Sequence, residues 1–362
     1  MSHDSPVVSL SDVDVHFEST DGVNPFAKSQ TVRAVDDIDL DIGENDIVAI
    51  VGESGSGKTT LGKTAVGLQK PTSGSVSYRG QDIWEAKRRF SNPSIPYAEI
   101  RRSMQIIHQD PGSSLNPHKT VLSSLEQPLK RWYDDLGPED REARVLAMLE
   151  RVGMSPPNDY AHRYPHQLSG GEKQRVALVR ALLMNPDIIL ADEAVSALDV
   201  SLRVEMMDLM LALQDAFDTS FLFISHDLSN ARYLAEHGDG RIGVMYLGEL
   251  VELGPAEEVL QNPQHPYTKV LKWATPSLGI GGASEPPIRE VDIPDPVNPP
   301  SGCRFHTRCP NATEFCKRKR PSPLTVDNDT SDHRVSCYRV DDKSDYWEST
   351  PLEDATFDQG NI

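Results

Sequence analysis

Short apolar runs, separated by glycine, proline and charge, set the pattern of this chain. Ile47–Val51, inside DIVAIVG, is a five-residue run with β-branched members and reads as a buried parallel strand. Ile188–Ala191, inside PDIILADE, is a second such run, and SFLFISHD, which closes on His226, is a third. Other apolar positions recur at helical spacing. Leu61, Ala65 and Leu68 follow the first run, and Val176, Val179 and Leu183 precede the second. Strands alternating with helical segments predict an α/β fold.

The pattern also divides the chain. Residues 7–110 read as strand-rich. Residues 111–167 change character, with VLAMLERVGM at helical spacing and GPEDREAR as a polar helix start, and predict a helical subdomain inserted in a unit spanning 7–275. YLGELVELGPAEEVLQNP reads as a hairpin followed by a short helix, and no internal repeat is visible. Beyond 275 the character shifts again. Glu285–Pro300 holds six prolines in sixteen residues, so 276–300 is predicted to be an extended, stiff linker. A four-cysteine extension over 301–340 follows. The last stretch, 341–362, carries seven acids and one lysine and is predicted to be a solvated, disordered tail.

The first strand leads into Gly52-x-x-x-x-Gly57-Lys58-Thr59 and then a helix, the setting of a phosphate-binding P-loop. Glycines let successive backbone N–H groups turn toward a polyphosphate, assisted by the helix dipole. Gly52, Ser54, Gly55, Gly57 and Thr60 would line the loop, Lys58 would reach the β- and γ-phosphates, and the Thr59 hydroxyl would ligate Mg²⁺. Asp192, at the end of the second run, is placed to hold the Mg²⁺ shell, and Glu193 beside it could act as general base toward the attacking water. Ser169 and Glu172 form a Ser-x-x-Glu capping box whose next residues, Gly170 and Gly171, leave helix N-terminal amides open as a second anion site.

Charge narrows the classes. The chain has 55 acidic and 36 basic residues, a formal net of −19, which argues against non-specific nucleic-acid binding. The acidity reads as an ordinary solvated surface or as adaptation to high salt. No apolar stretch nears the ~18 residues of a membrane span, and MSHDSPVVSL lacks a secretory pattern, so a soluble cytoplasmic protein is expected.

With Gln109 in MQIIHQDPGSSLNP and His226 added, the chain resembles the ATP-binding-cassette ATPases of membrane transporters over roughly 7–275. The resemblance implies a Walker A loop at Gly52–Thr59, a Q-loop glutamine at Gln109 that also meets Mg²⁺, and a signature at Leu168-Ser169-Gly170-Gly171. It further implies a Walker B end at Asp192 and Glu193, a D-loop at Ser196–Asp199 and a switch histidine at His226 that contacts the γ-phosphate. Phe17 sits where such proteins stack an aromatic ring on adenine, with plain core packing as the alternative. It also implies a partner cassette, identical or paralogous, whose P-loop faces this signature. Two membrane permeases and, indirectly, a substrate-binding protein complete the partners, and the chain would sit peripherally on the cytoplasmic face. Ala194 and Val195 depart from the usual proline and threonine, and a looser turn into the D-loop is expected. A non-transport cassette ATPase acting in translation or nucleic-acid repair is the rival class, disfavoured by the single cassette, the missing heptads and the acidity.

The four cysteines, Cys303, Cys309, Cys316 and Cys337, all lie near the end of the chain. Inert thiols, disulfides, structural zinc and an iron–sulfur cluster compete. A cytoplasmic setting disfavours disulfides, and zinc usually shows tight Cys-x2–4-Cys pairs that are absent. Arg304, Arg308, Lys317, Arg318, Lys319 and Arg320 are read as charge compensation for a thiolate cluster, or as a solvated patch. PPSGCRFHTRCP, with NPQHPYTKVL upstream, resembles the C-terminal extension of oligopeptide/dipeptide importer ATPases. That resemblance implies a 4Fe–4S cluster on the four cysteines, with zinc as the alternative and His306 and His333 as spare ligands. Relatives with this extension also serve nickel and sugar importers.

Overall fold

A computed structural model describes residues 5–19, 30–275, 288–289, 292–326 and 332–352, without the side chains of 113–114. The strands in chain order are β1 (Val8–Ser19), β2 (Gln30–Ile42), β3 (Ile47–Val51), β4 (Ser73–Tyr78), β5 (Gln81–Asp82), β6 (Met104–Ile107), β7 (Ile188–Asp192), β8 (Ser220–Ser225), β9 (Arg241–Tyr246), β10 (Glu249–Pro255), β11 (Leu324–Thr325) and β12 (Arg334–Val335). They form two sheets. The smaller is antiparallel, in the order β2-β1-β4-β5, and the larger runs β11-β12-β10-β9-β3-β8-β7-β6.

In the larger sheet β9, β3, β8, β7 and β6 are mutually parallel, and β10, β12 and β11 add on antiparallel. β3, β7 and β8 are buried at every residue, as continuous apolar runs require in a sheet covered on both faces. The period of two then sorts their side chains into two cores. Ile47, Ala49, Val51, Ile189, Phe221 and Phe223 pack with the helices Gly170–Leu182, Val200–Phe217 and Leu228–His237. Val48, Ile50, Ile188, Leu190, Leu222 and Ile224 pack with the antiparallel sheet and with Leu61 of the helix Lys58–Ala65. That helix approaches closely at Gly62, where a Cβ would meet the Leu190 and Ile224 side chains at 2.7 and 2.6 Å.

Over 111–167 the described elements are helices: Pro111–Ser114, Val121–Trp132, Pro138–Arg151, Pro157–Ala161 and a 3₁₀ turn at Pro165–Gln167. Leu125, Leu129, Val145 and Leu149 are fully buried, and they are continuous with the core beneath Gly170–Leu182. The hairpin β9–β10 and the helix Ala256–Gln261 occur as expected.

Beyond 275 the chain folds back onto this core. Of the proline-rich stretch, 276–287 and 290–291 lie outside the described residues. The rest has neither helix nor strand, but Arg289 is anchored, its N–H donating to the Arg308 carbonyl at 2.9 Å. The extension adds β12 and β11 to the edge of the larger sheet through β10, which covers an otherwise open strand edge. The expected disordered tail differs as well. Its described part, 341–352, packs on the extension: Tyr346 is buried with its hydroxyl on the Asn311 carbonyl, and the Leu352 N–H reaches the Ala312 carbonyl. Two apolar side chains and backbone pairing outweigh the acidic composition there. Residues 353–362 lie outside the described part.

Candidate functional site

Because β3, β6, β7 and β8 are parallel, their carboxyl ends open on one edge, where ligands bind in open α/β sheets. Gly52 follows β3, Gln109 lies just past β6, Asp192 ends β7 and His226 follows β8. The edge holds a cleft lined by Thr59, Lys63, Gln109, Arg180, Asp192 and Glu193.

The glycine loop has the backbone its residues require. Gly57 has φ +103°, and a Cβ there would stand 1.9 Å from the Ala34 carbonyl oxygen. Gly55 has φ +80° with open space where a Cβ would point, and Ser54 and Gly55 form the exposed crest. The buried Lys58 ammonium donates to the carbonyls of Gly52 and Glu53 at 2.7 and 2.8 Å. Burial pulls its pKa down, opposed by the nearby carboxylates of Glu193, Asp192 and Glu53. The Thr59 hydroxyl donates to Asp192 Oδ1 at 2.9 Å. Thr60 sits half-buried in the first turn of the helix, its carbonyl accepting from the Thr64 hydroxyl.

Glu193 holds a left-handed backbone at φ +50°, uncommon outside glycine. Its N–H donates to the Ile224 carbonyl, and its own carbonyl accepts from the Ser196 N–H and hydroxyl at 3.1 and 2.8 Å. Its carboxylate lies 3.4 Å from Nδ1 of the exposed His226. The turn that follows is tighter than expected. Ala194 and Val195 are buried, and the Gln174 amide donates to the Ala194 carbonyl.

Ser169 caps its helix reciprocally with Glu172: the Glu172 N–H donates to Ser169 Oγ, and the Ser169 N–H donates to the Glu172 carboxylate. Burial raises the Glu172 pKa and the bonds to Ser169 lower it, with a net fall. Gly170 is exposed with open space at its Cβ position, whereas Gly171 is buried against Leu202. This stretch does not line the cleft beside Thr59. Phe17 is half-exposed near the end of β1, paired with Val32 of β2.

All four cysteines are free thiols and line one small cavity with His306, Phe305, Tyr338 and Tyr346. Burial, and after it the neighbouring thiolates, pushes Cys303 up, and burial takes Cys309 to about 12. Thiols so placed need a bound cation to deprotonate. Around one zinc ion, four sulfurs at ≈2.3 Å would stand about 3.8 Å apart. Among the described residues Asp14, His16 and Asp36 offer three ligand atoms within 4.8 Å of one another, and no three of the cysteines do. Four thiols lining one cavity are a donor set suited to a soft metal centre. His306 stays at the cavity, its Nδ1 2.8 Å from the Cys303 carbonyl. His333 does not, because its ring is held by Glu252 at 2.8 Å and Glu258 at 3.5 Å.

Arg304, Arg308 and Arg320, three of the basic residues of the extension, pair with carboxylates of the core. Arg304 is buried against Asp36 and Glu249, and Arg320 reaches Asp36 and Glu249. Arg308 is buried and grips Glu53, inside the glycine loop, with both guanidinium nitrogens. Phe305 packs between Tyr246 and Tyr267, with ring centroids 5.2 and 5.4 Å away. Glu53, Tyr267 and Arg308 therefore brace the glycine loop from outside the cleft, contacts that the sequence did not show. The acid inside the glycine loop was the available signal.

The family model "ABC transporter" matches residues 35–196, and "Oligopeptide/dipeptide transporter, C-terminal region" matches 251–316. The chain is 41% identical over 316 residues to the dipeptide transport ATP-binding protein DppF of Haemophilus influenzae, covering 87% of this chain and 92% of that one. It is 39% identical over 334 residues to the oligopeptide transport ATP-binding protein AppF of Bacillus subtilis, covering 92% and 97%. Among solved structures it matches the dimeric, post-hydrolysis ATP-binding cassette MJ0796 bound to ADP and Pi, with TM-score 0.56, 29% identity, and coverage of 69% of this chain and 98% of that one. The chain belongs to the ABC transporter ATPases, in the oligopeptide/dipeptide transporter group of ATP-binding proteins.

Proposed function

We propose that this chain is the ATP-hydrolysing subunit that energises a membrane importer of di- or oligopeptides. The observation that carries the reading is the gathering of Thr59, Asp192, Glu193 and Gln109 in one cleft beside the P-loop, in a chain whose peptide-transport relatives match it through the extension. Mg²⁺ would be held by Thr59, Asp192 and Gln109, and it supplies charge neutralisation to the transferring phosphoryl group. Lys58 leaves the loop carbonyls to meet the β- and γ-phosphates. Glu193 accepts the proton of the attacking water, and His226, 3.4 Å from it, contacts the γ-phosphate. Gly52, Ser54, Gly55, Gly57 and Thr60 bind phosphate through the loop and its helix, and Phe17 stacks on adenine. Ser169, Gly170 and Gly171 stand apart from their own cleft and cover the γ-phosphate held by a partner cassette. The dimeric form of the related cassette supports that pairing. ATP then closes the dimer and hydrolysis releases it, a population shift driven by ligand.

Among the described residues no helix is long and apolar enough to cross a membrane. The chain acts peripherally on the cytoplasmic face, through two permeases docked by the helical subdomain of 111–167, with nickel or sugar importers as the alternative setting. In the extension, Cys303, Cys309, Cys316 and Cys337 hold a 4Fe–4S cluster rather than zinc. The four cysteines line one cavity, in a stretch similar to the oligopeptide/dipeptide transporter C-terminal region, and this supports a shared metal group. The experiment is uptake of labelled peptide by cells lacking this chain and supplied with native or Glu193→Gln protein. Only native protein should restore it. Restoration of nickel or sugar uptake instead would move the substrate class.

A further inference from the structure

The P-loop carries an acid where polyphosphate must bind. Glu53 lies directly after Gly52, and it is held on three sides. Its N–H donates to the Tyr267 hydroxyl at 2.9 Å, its carbonyl accepts from Lys58, and its carboxylate accepts both guanidinium nitrogens of Arg308 at 2.9 and 3.0 Å. Arg308 belongs to the extension, 255 residues away and immediately before Cys309. Its side chain is 4% exposed, against 24% for Glu53. It is wedged by the Tyr246 and Phe305 rings, with its guanidinium 5.7 and 5.8 Å from their centroids. An arginine fork on a carboxylate fixes orientation as well as charge.

We propose that Arg308 is a positioning residue for the P-loop: it neutralises and orients Glu53, so that the loop binds polyphosphate more tightly with the four-cysteine extension docked. The inference rests on the proposed nucleotide site. Two charges act in opposite senses there. Lys58 attracts phosphate, while a bare Glu53 carboxylate one residue into the loop would repel it and would compete for the Lys58 ammonium. Pairing with Arg308 removes the repulsion without adding a free cation beside the phosphates. Tyr267 fixes the amide, so the Glu53 backbone cannot swing to relieve the charge. By reciprocity, nucleotide at the loop stabilises the docked extension. Neither Arg308 nor Glu53 lines the cleft beside Thr59 and Glu193, so the effect falls on binding rather than on chemistry.

The test is equilibrium binding of a fluorescent ATP analogue with Mg²⁺ to the full chain, alongside steady-state hydrolysis. Arg308→Ala should weaken binding and raise KM about tenfold, with kcat within about twofold of native. Adding Glu53→Gln to Arg308→Ala should recover most of that loss, since the unpaired charge is gone. A merely structural role for Arg308 would not be rescued by a second change in the loop. Should Arg308→Ala fail to fold, Arg308→Gln, which keeps bulk without charge, takes its place with the same expectation. Binding by the charge-removed variant within about twofold of native, or a double variant no tighter than the single, overturns the inference while leaving the nucleotide site intact. Absence of Mg-ATP binding by native protein overturns both.

Discussion

The Thr59 hydroxyl donates to the Asp192 carboxylate at 2.9 Å, joining the first turn after the glycine loop to the end of β7. Two groups far apart in sequence thus share one point, where the proposed Mg²⁺ shell lies. Asp192→Asn keeps an oxygen to accept from Thr59 and removes the charge. Hydrolysis is expected to fall about 10²–10³-fold, the range for losing one electrostatic element of a transition state. Stability should shift by no more than about 1 kcal/mol, since the hydrogen bond survives. Hydrolysis assays and thermal melts on one preparation check both. Near-native hydrolysis would remove Asp192 from the metal site.

The proposed cluster sets a metal content. Protein purified without oxygen should carry about four iron and four acid-labile sulfide per chain, the content of one four-cysteine cubane. Cys309→Ser should lose them. One zinc per chain would replace the cluster by a structural clip.

His265 predicts a pH dependence. It is fully buried, its N–H donates to Glu252, and its Nδ1 accepts from the Tyr267 N–H at 3.1 Å as a helix cap. Burial holds its pKa down to about 4, against the opposing pull of Glu252. The folded state therefore resists the proton that the unfolded chain takes up near pH 6.5. Stability is unaffected above that pH and falls as pH drops from about 6.5 toward 4, by up to roughly 3 kcal/mol from this group. His265→Asn keeps a capping acceptor without the titration, and its stability profile should be flatter across that window. Parallel profiles for native and variant protein would contradict the assignment.

The legible part of the fold was what continuous apolar runs encode. β3, β7 and β8 are buried on both faces, so their sequences show no alternation, and the motifs sit at their carboxyl ends. The extension was legible only as four cysteines. β11 and β12 are two residues each, too short for any period, and they exist because β10 offers an edge. The docking arginines looked like a basic patch because their partners, Asp36 and Glu53, lie 268 and 255 residues away in sequence. The tail looked disordered because seven acids mask the single anchors Tyr346 and Leu352. Sequence pattern reports local period and burial well, and reports nothing of a pairing made across the whole chain.

The most direct measurement of the central claim is light scattering of Glu193→Gln with and without Mg-ATP, beside its hydrolysis rate. Loss of the proposed general base should slow hydrolysis at least about 10²-fold. ATP should then hold a stable closed dimer that native protein forms only transiently. Hydrolysis by the variant at the native rate, or a mass unchanged by ATP, would contradict the account.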